Sequence, residues 1–531
     1  MKLIERLAYT LLDGDTPFRH GMAGRFCPAL GLWSLRFLVF GILLGHSAGA
    51  QMPSTNPIVR GDHPDPTIIR VGNSYWTAST SGDWAPEFPL LRSNDLRRWT
   101  AAGAIFPQSP SWASGSFWAP ELVNDGGHIL VYYVGRKLGG PLCVAVATAD
   151  RPEGPYVDHG PLVCQTDGSI DPAMARDEKG HPFLIWKEDG NSIGRPTPIW
   201  AQPLADDLIH LTGEPTQLIV NDPATWEGGV VEAPYIMRHD GHFYLFYAGN
   251  ACCGSACRYA EGVARAGHLL GPWTKDPANP IIRPNSNWKC PGHGTAVETA
   301  SGKDYFIYHA YPAAGMVYLG RESVLDRITW SDGWPIINGG AGPSGGTADP
   351  NAKQPTFTDN FSGRSLDAEW QWPVRRVPRS QVVQGVLTLE ASNDNRPIFV
   401  AHSLVAPNYT ATVGVEGTGG LGIIGGSHGM VVLNQHGDHI ELWRLSDAGR
   451  QTLWQSEIPH APIVWLRATS ANLADTSFSY SLDRKHWTQA GPALSVTELL
   501  PWDQGLRVGL VNADAPPAHF TRFSLTGQAN P

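Results

Sequence analysis

The chain has 531 residues and a formal net charge of −10 at pH 7. This length exceeds that of one ordinary domain and predicts two, while the acidic balance argues against nucleic acid or an anionic membrane as partner. With 17% charged residues, 42% hydrophobic residues, 59 Gly and 44 Pro, the composition is typical of a turn-rich, all-β protein and excludes the disordered class.

Residues 1–50 have the layout of a secretory signal peptide. Arg36 precedes an apolar run at 37–44, and small residues at 48–50 provide a cleavage site. The basic stretch before the run is unusually long, which is explained if translation begins at Met22. A membrane anchor is the alternative, but about eight apolar residues are too few to span a bilayer. We therefore expect a secreted or periplasmic protein with no membrane association after cleavage.

A recurring arrangement organises residues 52–337. Short strand-forming runs alternate with turns, and in five places a distinctive side chain lies 10 to 12 residues ahead of the strand that follows the next turn. These residues are Asp65, Trp118, Asp171, Glu232 and His293. The repetition predicts a five-bladed β-propeller, in which the first strand of every blade lines one axis and brings these residues to one pocket.

The three acidic residues of this series stand next to prolines. Asp65 lies between two prolines, Asp171 precedes one, and Glu232 comes two residues before Pro234 at the start of a predicted hairpin. Because proline cannot donate to a sheet ladder, these carboxylates are expected at strand starts, where they can face a cavity. For Asp65, an Asx turn that opens a strand is an equally good interpretation.

Five further assignments concern substrate contacts. Trp118 is predicted to form a stacking wall of the pocket, because an indole ring can pack against the face of a sugar. Trp84 and Phe88 lie in a loop that is expected to shape substrate binding. Arg321, at a strand end, suits a sugar hydroxyl or a carboxylate. His293, flanked by two glycines, falls near the axis and is expected to coordinate a central cation, to bind substrate, or to make a structural hydrogen bond.

Six cysteines remain once residues 1–50 are removed: Cys143, Cys164, Cys252, Cys253, Cys257 and Cys290. An even number in an exported protein permits three disulfides, among 15 possible pairings. Cys143 and Cys164 flank one predicted hairpin and are placed to pair. We interpret the cluster at 252–257 as disulfide stapling of a loop, because it lacks the Cys-x-x-Cys spacing and nearby His of a zinc site.

The second half of the chain has a different pattern. Residues 338–355 are rich in Gly, Pro, Ser and Ala without apolar periodicity, which predicts a linker. Residues 356–531 show alternating strands with frequent turns, which predicts a β-sandwich of the concanavalin-like type. No pair of acidic residues stands out in it.

The acidic residues of the first half suit one kind of chemistry. Two carboxylates on either side of a sugar are the minimum for glycosidic cleavage, one protonated as general acid and the other ionised as base or nucleophile. A third carboxylate nearby raises the pKa of the acid by like-charge repulsion. Three acids that converge on one axis would supply this set.

Four motifs resemble glycoside hydrolase family 43 in their order and spacing. They are residues 56–70, Ser-Ile-Asp-Pro at 169–172, Glu-Ala-Pro-Tyr at 232–235 and Gly-His-Gly at 292–294. The resemblance implies a five-bladed propeller and hydrolysis with inversion at the anomeric carbon. It implies that Asp65 is the general base, that Glu232 is the general acid, and that Asp171 tunes and orients Glu232.

The resemblance also extends to the remaining site residues. His293 matches a position associated with a central calcium ion or a substrate contact, and Arg321 resembles an arginine that reads substrate hydroxyls. The C-terminal part is similar to the sandwich of β-xylosidase-like members and is expected to close one side of the pocket. The Cys-Cys-Gly cluster at 252–254 is not a general feature of the family and indicates a specialised loop.

The leading hypothesis is an exo-acting, inverting glycosidase that removes xylose or arabinofuranose from plant hemicellulose or pectin fragments. It needs an oligo- or polysaccharide substrate and no organic cofactor, with structural calcium at the axis as the expected metal. An endo-1,5-α-L-arabinanase is the nearest alternative. A non-catalytic carbohydrate-binding protein is the alternative from another class. Retaining invertase-like propellers are disfavoured because their sequence signatures are missing.

Overall fold

The computed structural model describes residues 56–345, 355–394, 396–426, 429–514 and 516–528. The predicted signal peptide and residues 346–354 of the predicted linker lie outside these ranges. Within them, no helix is long and apolar enough to cross a bilayer. The helices among the described residues are one short α-helix and three 3₁₀ turns, at Met316–Leu319, Gly190–Ile193, Asn338–Gly340 and Thr497–Leu499. The prediction of an all-β chain is confirmed.

Residues 56–345 form five antiparallel sheets of four strands each, and sequence order is kept within every sheet. The first sheet contains Thr67–Val71, Ser74–Ala78, Glu87–Ser93 and Thr100–Phe106, and the second contains Trp118–Asp125, His128–Arg136, Leu142–Ala149 and Val157–Val163. The third contains Ser169–Arg176, Pro182–Glu188, Ile199–Pro203 and Thr216–Ile219. The fourth contains Val231–His239, His242–Gly249, Ala260–Ala266 and Thr274–Lys275, and the fifth contains Trp288–Glu298, Asp304–Pro312, Glu322–Ser331 and Trp334–Ile337.

Tight turns explain why these runs fold back on themselves. In the fourth sheet, Asp240 and Gly241 connect the first two strands with φ angles of 45° and 76°. Two successive positive φ values match the right-handed twist of a hairpin, and Asp-Gly adopts them at low cost. The hairpin therefore lies where the sequence predicts it.

Neighbouring sheets pack face to face through apolar residues of their central strands. Tyr133 belongs to the cluster between the first and second sheets, Trp186 to that between the second and third, Phe243 to that between the third and fourth, and Phe306 to that between the fourth and fifth. The first strand of each sheet contacts the first strand of the next sheet. The first strand of the fifth sheet contacts the first strand of the first sheet. The five first strands therefore lie together at the centre.

The C-terminal part consists of two packed sheets. One contains Thr356–Asp359, Ser380–Val383, Val386–Leu389, Tyr409–Glu416, Val464–Ser470, Asp475–Ser481, Thr488–Gln489, Leu494–Ser495 and Ala518–Gly527. The other contains Ile398–Ser403, Thr418–Ile424, Met430–His436, His439–Ser446, Gly449–Glu457 and Arg507–Asn512. Buried apolar residues from both sheets, such as Val413 and Leu421, form one core. This is the two-layer arrangement that the alternating strands predict.

The C-terminal part is docked firmly on the sheets that precede it. Trp84–Ala85 pairs with Trp372–Pro373 as a small sheet of two strands. Arg507 forms an ion pair with Asp62 at 3.3 Å, and both side chains are almost fully buried. The start of the predicted linker is also packed, because Ser344 accepts hydrogen bonds from Asn56 and from the indole of Trp288.

Candidate active site

The site is built on an irregularity that recurs at the start of all five sheets. Within or just ahead of each first strand, at least one residue has a φ angle between 45° and 56°, in the left-handed region. These residues include Asp65, Ala119, Asp171, Ala233 and His293. In the second to fifth sheets the strand register shifts at these residues, which marks a β-bulge, whereas Asp65 lies just ahead of the first strand. Bulges re-aim the neighbouring side chains and are common beside active sites. Asp65, Asp171 and His293 have this φ angle themselves, whereas Trp118 and Glu232 lie one residue ahead of the residue that has it.

A bulge frees a backbone N–H group from the sheet ladder, and a buried N–H needs an acceptor. For Ala119, Ala233 and His293, a side chain from the preceding sheet or one of its loops accepts this hydrogen bond, and for Asp65, ahead of the first sheet, the acceptor comes from the fifth sheet. The N–H groups of Asp65, Ala119, Ala233 and His293 donate to His309, Thr80, Asp171 and Glu261 at 3.1, 2.7, 2.9 and 2.9 Å. The bulges therefore hold the sheets together and fix the side chains around them.

Asp65 is a buried carboxylate with a cation beside it. Its Oδ1 lies 2.9 Å from Nη1 of Arg321 and 3.4 Å from Nδ1 of His293. Burial alone would raise the pKa of Asp65, but Arg321 and then His293 hold it well below its usual value. Burial lowers the pKa of His309 to about 4, so its ring is neutral and its Nδ1 accepts the Asp65 N–H. Asp65 is thus ionised at neutral pH, the form that a general base requires.

Glu232 is paired with a lysine that sequence reasoning missed. The ammonium of Lys187 is fully buried and lies 2.9 Å from Oε2 of Glu232, 2.8 Å from Oδ1 of Asp189 and 2.7 Å from Oδ1 of Asn191. Burial raises the pKa of Glu232, but Lys187 outweighs it and lowers the pKa overall, helped by the hydroxyl of Tyr259. The available signal is a lysine directly after the apolar run at 183–186 of a buried strand, where such residues are rare.

The pKa of Asp171 is shifted in the opposite direction to that of Glu232. Burial is the main cause that raises its pKa to about 7, and the nearby charge of Glu232 adds to the rise, while His293 and Lys187 oppose it. Its Oδ2 accepts the N–H of Ala233, the residue after Glu232. Asp171 and Glu232 therefore act as a pair that holds one proton near neutral pH, and the pair titrates as a unit.

A cavity of ≈710 Å³ opens beside Glu232. The sequence missed the part of its wall that comes from the C-terminal sheets, where Trp502 is 64% exposed. The next residues dock on the site: the carbonyl of Asp503 accepts from Nη2 of Arg321 at 3.3 Å, and Gln504 donates to the carbonyl of Ser81 at 2.9 Å. The lining includes Asn191, Asn221, Asn250, Cys252, Cys253 and Trp502.

Two family sequence models match the chain. The one for Glycosyl hydrolases family 43 covers residues 54–335, which is more than half of the 531 residues, and the one for the Beta xylosidase C-terminal Concanavalin A-like domain covers residues 358–526.

The chain belongs to glycosyl hydrolase family 43.

Similar proteins are named xylosidases or arabinosidases. A xylosidase/arabinosidase of Butyrivibrio fibrisolvens is 30% identical over 309 residues, which are 54% of this chain and 57% of the relative. A putative beta-xylosidase of Escherichia coli K12 is 27% identical, over 62% of this chain and 65% of the relative. The alignments thus span less than two thirds of these relatives.

The fold is shared with solved structures. The xylan beta-1,4-xylosidase of Bacillus halodurans superposes with a TM-score of 0.75 at 22% identity, over 89% of this chain and all of that structure. A Bacteroides ovatus GH43B structure gives 0.75 at 20% identity, over 89% of this chain and 99% of that structure. At these identities the likeness establishes the fold.

Of the aromatic residues predicted to contact substrate in this family 43 chain, none lines the cavity, but Trp118 contacts Trp502, which does. Trp118 is half-buried and meets Trp502 edge to face, with ring centroids 6.1 Å apart. Phe88 is fully buried among core aromatics such as Phe106, and Trp84 packs against Phe399 of the C-terminal sheets. The structure does not place these two at the site, because docking of the C-terminal part covers one and sheet packing covers the other.

The metal prediction concerns His293. In the described ranges, no group of three or more His, Cys, Asp or Glu side chains is arranged to hold a metal ion. Calcium prefers six to eight oxygen ligands. His293 offers only ring nitrogen, and its Nδ1 already faces Asp65. These residues do not form a calcium cage by themselves, and calcium stays a prediction.

The six described cysteines form three disulfides: Cys143–Cys164, Cys252–Cys253 and Cys257–Cys290. The expected pair at 143 and 164 is present, and the interpretation of the cluster at 252–257 as a stapled loop is confirmed. The sequence did not indicate that two adjacent cysteines pair with each other, nor that Cys257 reaches the fifth sheet.

Proposed function

We propose that this chain is an inverting glycoside hydrolase that removes xylose or arabinofuranose from the ends of hemicellulose or pectin fragments. The observation that carries the proposal is the ionised Asp65 and the proton-holding Asp171–Glu232 pair in one cluster of buried side chains. The names of the relatives support the substrate class. One of them, from Cellvibrio japonicus, is described as an extracellular exo-α-(1→5)-L-arabinofuranosidase, which agrees with the predicted signal peptide and exo action.

The roles follow from the protonation states. Asp65, held ionised by Arg321, takes a proton from the attacking water. Glu232 gives a proton to the departing oxygen, and Asp171 supplies the charge that keeps a proton on the pair. Lys187 favours the proton on Asp171 while the site is free of substrate. We expect the Asp65 and Glu232 carboxyl groups to be roughly 6.5–9.5 Å apart, the separation that admits a water for inversion.

The fold part of the proposal is a closed propeller whose five blades are the five sheets of residues 56–345. Contact between the first strand of the fifth sheet and the first strand of the first sheet supports closure. So does the bridge between Val59, which precedes the first sheet, and Ser323 in the third strand of the fifth sheet. Calcium at the axis is no part of this proposal, because His293 alone does not supply the oxygen ligands that calcium prefers, and no step of the mechanism depends on it.

Substrates with two different leaving groups distinguish the role of Asp65 from that of Glu232. Nitrophenolate departs with little protonation, whereas a sugar needs the acid. Glu232→Gln should therefore lose roughly 10²–10⁴-fold in kcat on a disaccharide and much less on a nitrophenyl glycoside, whereas Asp65→Asn should lose equally on both. Glu298→Gln, at an exposed strand end, serves as the matched control. Full turnover of the disaccharide by Glu232→Gln would refute the acid assignment.

A substrate panel tests the rest of the proposal. The panel contains nitrophenyl β-xyloside, nitrophenyl α-arabinofuranoside and linear arabinan, and NMR follows the anomer that is released first. Inversion predicts the anomer opposite to that of the substrate. Internal cleavage of arabinan would favour the endo-1,5-α-L-arabinanase. Binding without turnover on every substrate would favour a carbohydrate-binding protein.

A further inference from the structure

The loop between the second and third strands of the fourth sheet contains two adjacent cysteines joined to each other, Cys252 and Cys253. A disulfide between neighbours closes a small ring that includes the peptide bond between them. Apart from this peptide group, the ring consists of two Cα atoms, two methylene groups and two sulfur atoms, and it has no polar side-chain group. It is therefore a stiff, polarisable, mostly apolar surface.

This surface is held in place from three sides. The N–H of Arg258 donates to the carbonyl of Ala251 at 2.9 Å and closes the base of the loop. The disulfide Cys257–Cys290 ties the loop to the first strand of the fifth sheet. The N–H of Gly254 donates to the hydroxyl of Tyr311 at 3.3 Å. A surface fixed in this way loses little freedom when a ligand packs on it.

Both sulfur-bearing residues line the cavity that opens beside Glu232, and Trp502 forms another part of the wall. The two wall segments lie next to each other, because a Cβ placed on Gly254 would lie 3.6 Å from the carbonyl oxygen of Trp502. The cavity thus has a disulfide surface and an indole next to the carboxyl group that the proposed mechanism uses as acid.

The identity of that carboxyl group decides which part of a substrate occupies the cavity. A general acid lies against the glycosidic oxygen, on the side of the leaving group. Glu232 lines the cavity, whereas Asp65, on the side of the attacking water, does not. Sugar rings present apolar C–H faces, and such faces pack on aromatic and sulfur surfaces.

We propose that the Cys252–Cys253 disulfide, together with Trp502, is the binding surface for the sugar on the leaving-group side of the bond. It stays oxidised and forms no bond to substrate. It selects oligosaccharides over substrates with small leaving groups. This inference rests on the proposed function, because it takes Glu232 as the acid.

The loop has a competing structural role. Cys252 packs against the cluster that contains Tyr259, whose hydroxyl contacts Glu232. If the disulfide only supported Glu232 through Tyr259, its loss would affect every substrate that needs the acid. In that case the loss of the disulfide would not raise the KM for a substrate with a sugar leaving group.

The test compares a disaccharide with the glycosyl fluoride of the same pentose, because fluoride leaves the sugar side of the cavity empty. Cys252→Ser/Cys253→Ser should reduce kcat/KM on the disaccharide by about tenfold or more, mainly through KM, as expected for loss of a well-packed apolar contact. The loss on the fluoride should be several-fold smaller. Cys143→Ser/Cys164→Ser is the matched control, because that disulfide does not line the cavity. The ratio of its kcat/KM values on the two substrates should equal the ratio for the unaltered chain.

Trp502→Ala is the second variant, at an exposed position that folding does not depend on, and it should show the same preference. It decides the matter if the double cysteine variant does not fold. An unchanged disaccharide KM, or equal losses on both substrates, would overturn the inference while leaving the proposed function intact. An unaltered chain that hydrolyses neither substrate would overturn the proposed function and this inference with it.

Discussion

Replacing Lys187 with methionine removes the positive charge that lies 2.9 Å from Oε2 of Glu232. That charge stabilises the ionised carboxylates of the Asp171–Glu232 pair, so its removal raises the pKa at which the pair gives up its proton. The active form needs this proton, and burial and the charge of Glu232 raise the pKa of Asp171 to about 7. The alkaline limb of the kcat/KM profile should therefore lie near that pH in the unaltered chain and move upward in Lys187→Met.

The geometry sets the size of the shift. Two unit charges at 2.9 Å interact by roughly 6 kcal/mol at an effective dielectric constant of about 20. Lys187 divides its charge between Glu232 and Asp189, and loss of the ammonium also changes the desolvation of the site, so we expect about one to two pH units, at about 1.36 kcal/mol each. The variant should also lose stability, because Asp189 is left without its cation, by about 3–5 kcal/mol.

The assay is kcat/KM against pH on the disaccharide, after circular dichroism has shown that each variant is folded. The acid limb belongs to Asp65 and should stay in place. Lys187→Arg keeps the charge and should move the alkaline limb less than Lys187→Met. Lys275→Met serves as a matched control, because it breaks a comparable ion pair with Glu227 at 2.7 Å and should not move this limb.

Asp171→Asn should shift the alkaline limb in the opposite direction, because it removes the like charge that keeps the proton on the pair. Its alkaline limb should move to lower pH. If Lys187→Met shifts the alkaline limb by less than about half a unit, or shifts it downward, the coupling between Lys187 and the acid pair is not what controls the proton.

Two further predictions concern stability. Asp62→Asn should lower the free energy of unfolding by about 3–5 kcal/mol in urea titration, because Arg507 is left buried without its anion, whereas the exposed Arg522→Met should change it little. Burial raises the pKa of Glu121 to about 8 from 4.5, so its contribution to stability is present at low pH and is lost as the pH rises through about 8. Glu121→Gln keeps an oxygen for the hydroxyl of Thr67 and should flatten this pH dependence; an equally steep decline would contradict the reasoning.

Local patterns predicted much of the architecture. Alternation of strand-forming residues and turns gave the all-β class, and prolines beside Asp65, Asp171 and Glu232 gave the irregular strand starts on which the site is built. These features depend only on residues close in sequence, because the fixed φ angle and the missing backbone donor of a proline act at the proline itself. Glu232 and Trp118 lie one residue ahead of the bulge in their strands, whereas Asp171 lies in it, and only the pairing of the strands reveals this offset.

The protonation states could not be predicted in the same way. Lys187 and Glu232 are 45 positions apart, and Arg321 and Asp65 are 256 apart. A charge changes a pKa only within a few ångströms, and distance in space is set by the packing of whole sheets. The same holds for Phe88, whose apolar ring suits a sugar site or a core equally well until its neighbours are known.

The sequence by itself determined which residue types are present at each strand start, the two-part division and the acidic set that hydrolysis needs. Tertiary structure alone decided which carboxyl group holds the proton, that Trp502 reaches the site from the second half of the chain, and that Cys252 pairs with Cys253. The physical reason is that strand and turn propensities act over a few residues, whereas electrostatics and the walls of a cavity depend on residues that only folding brings together.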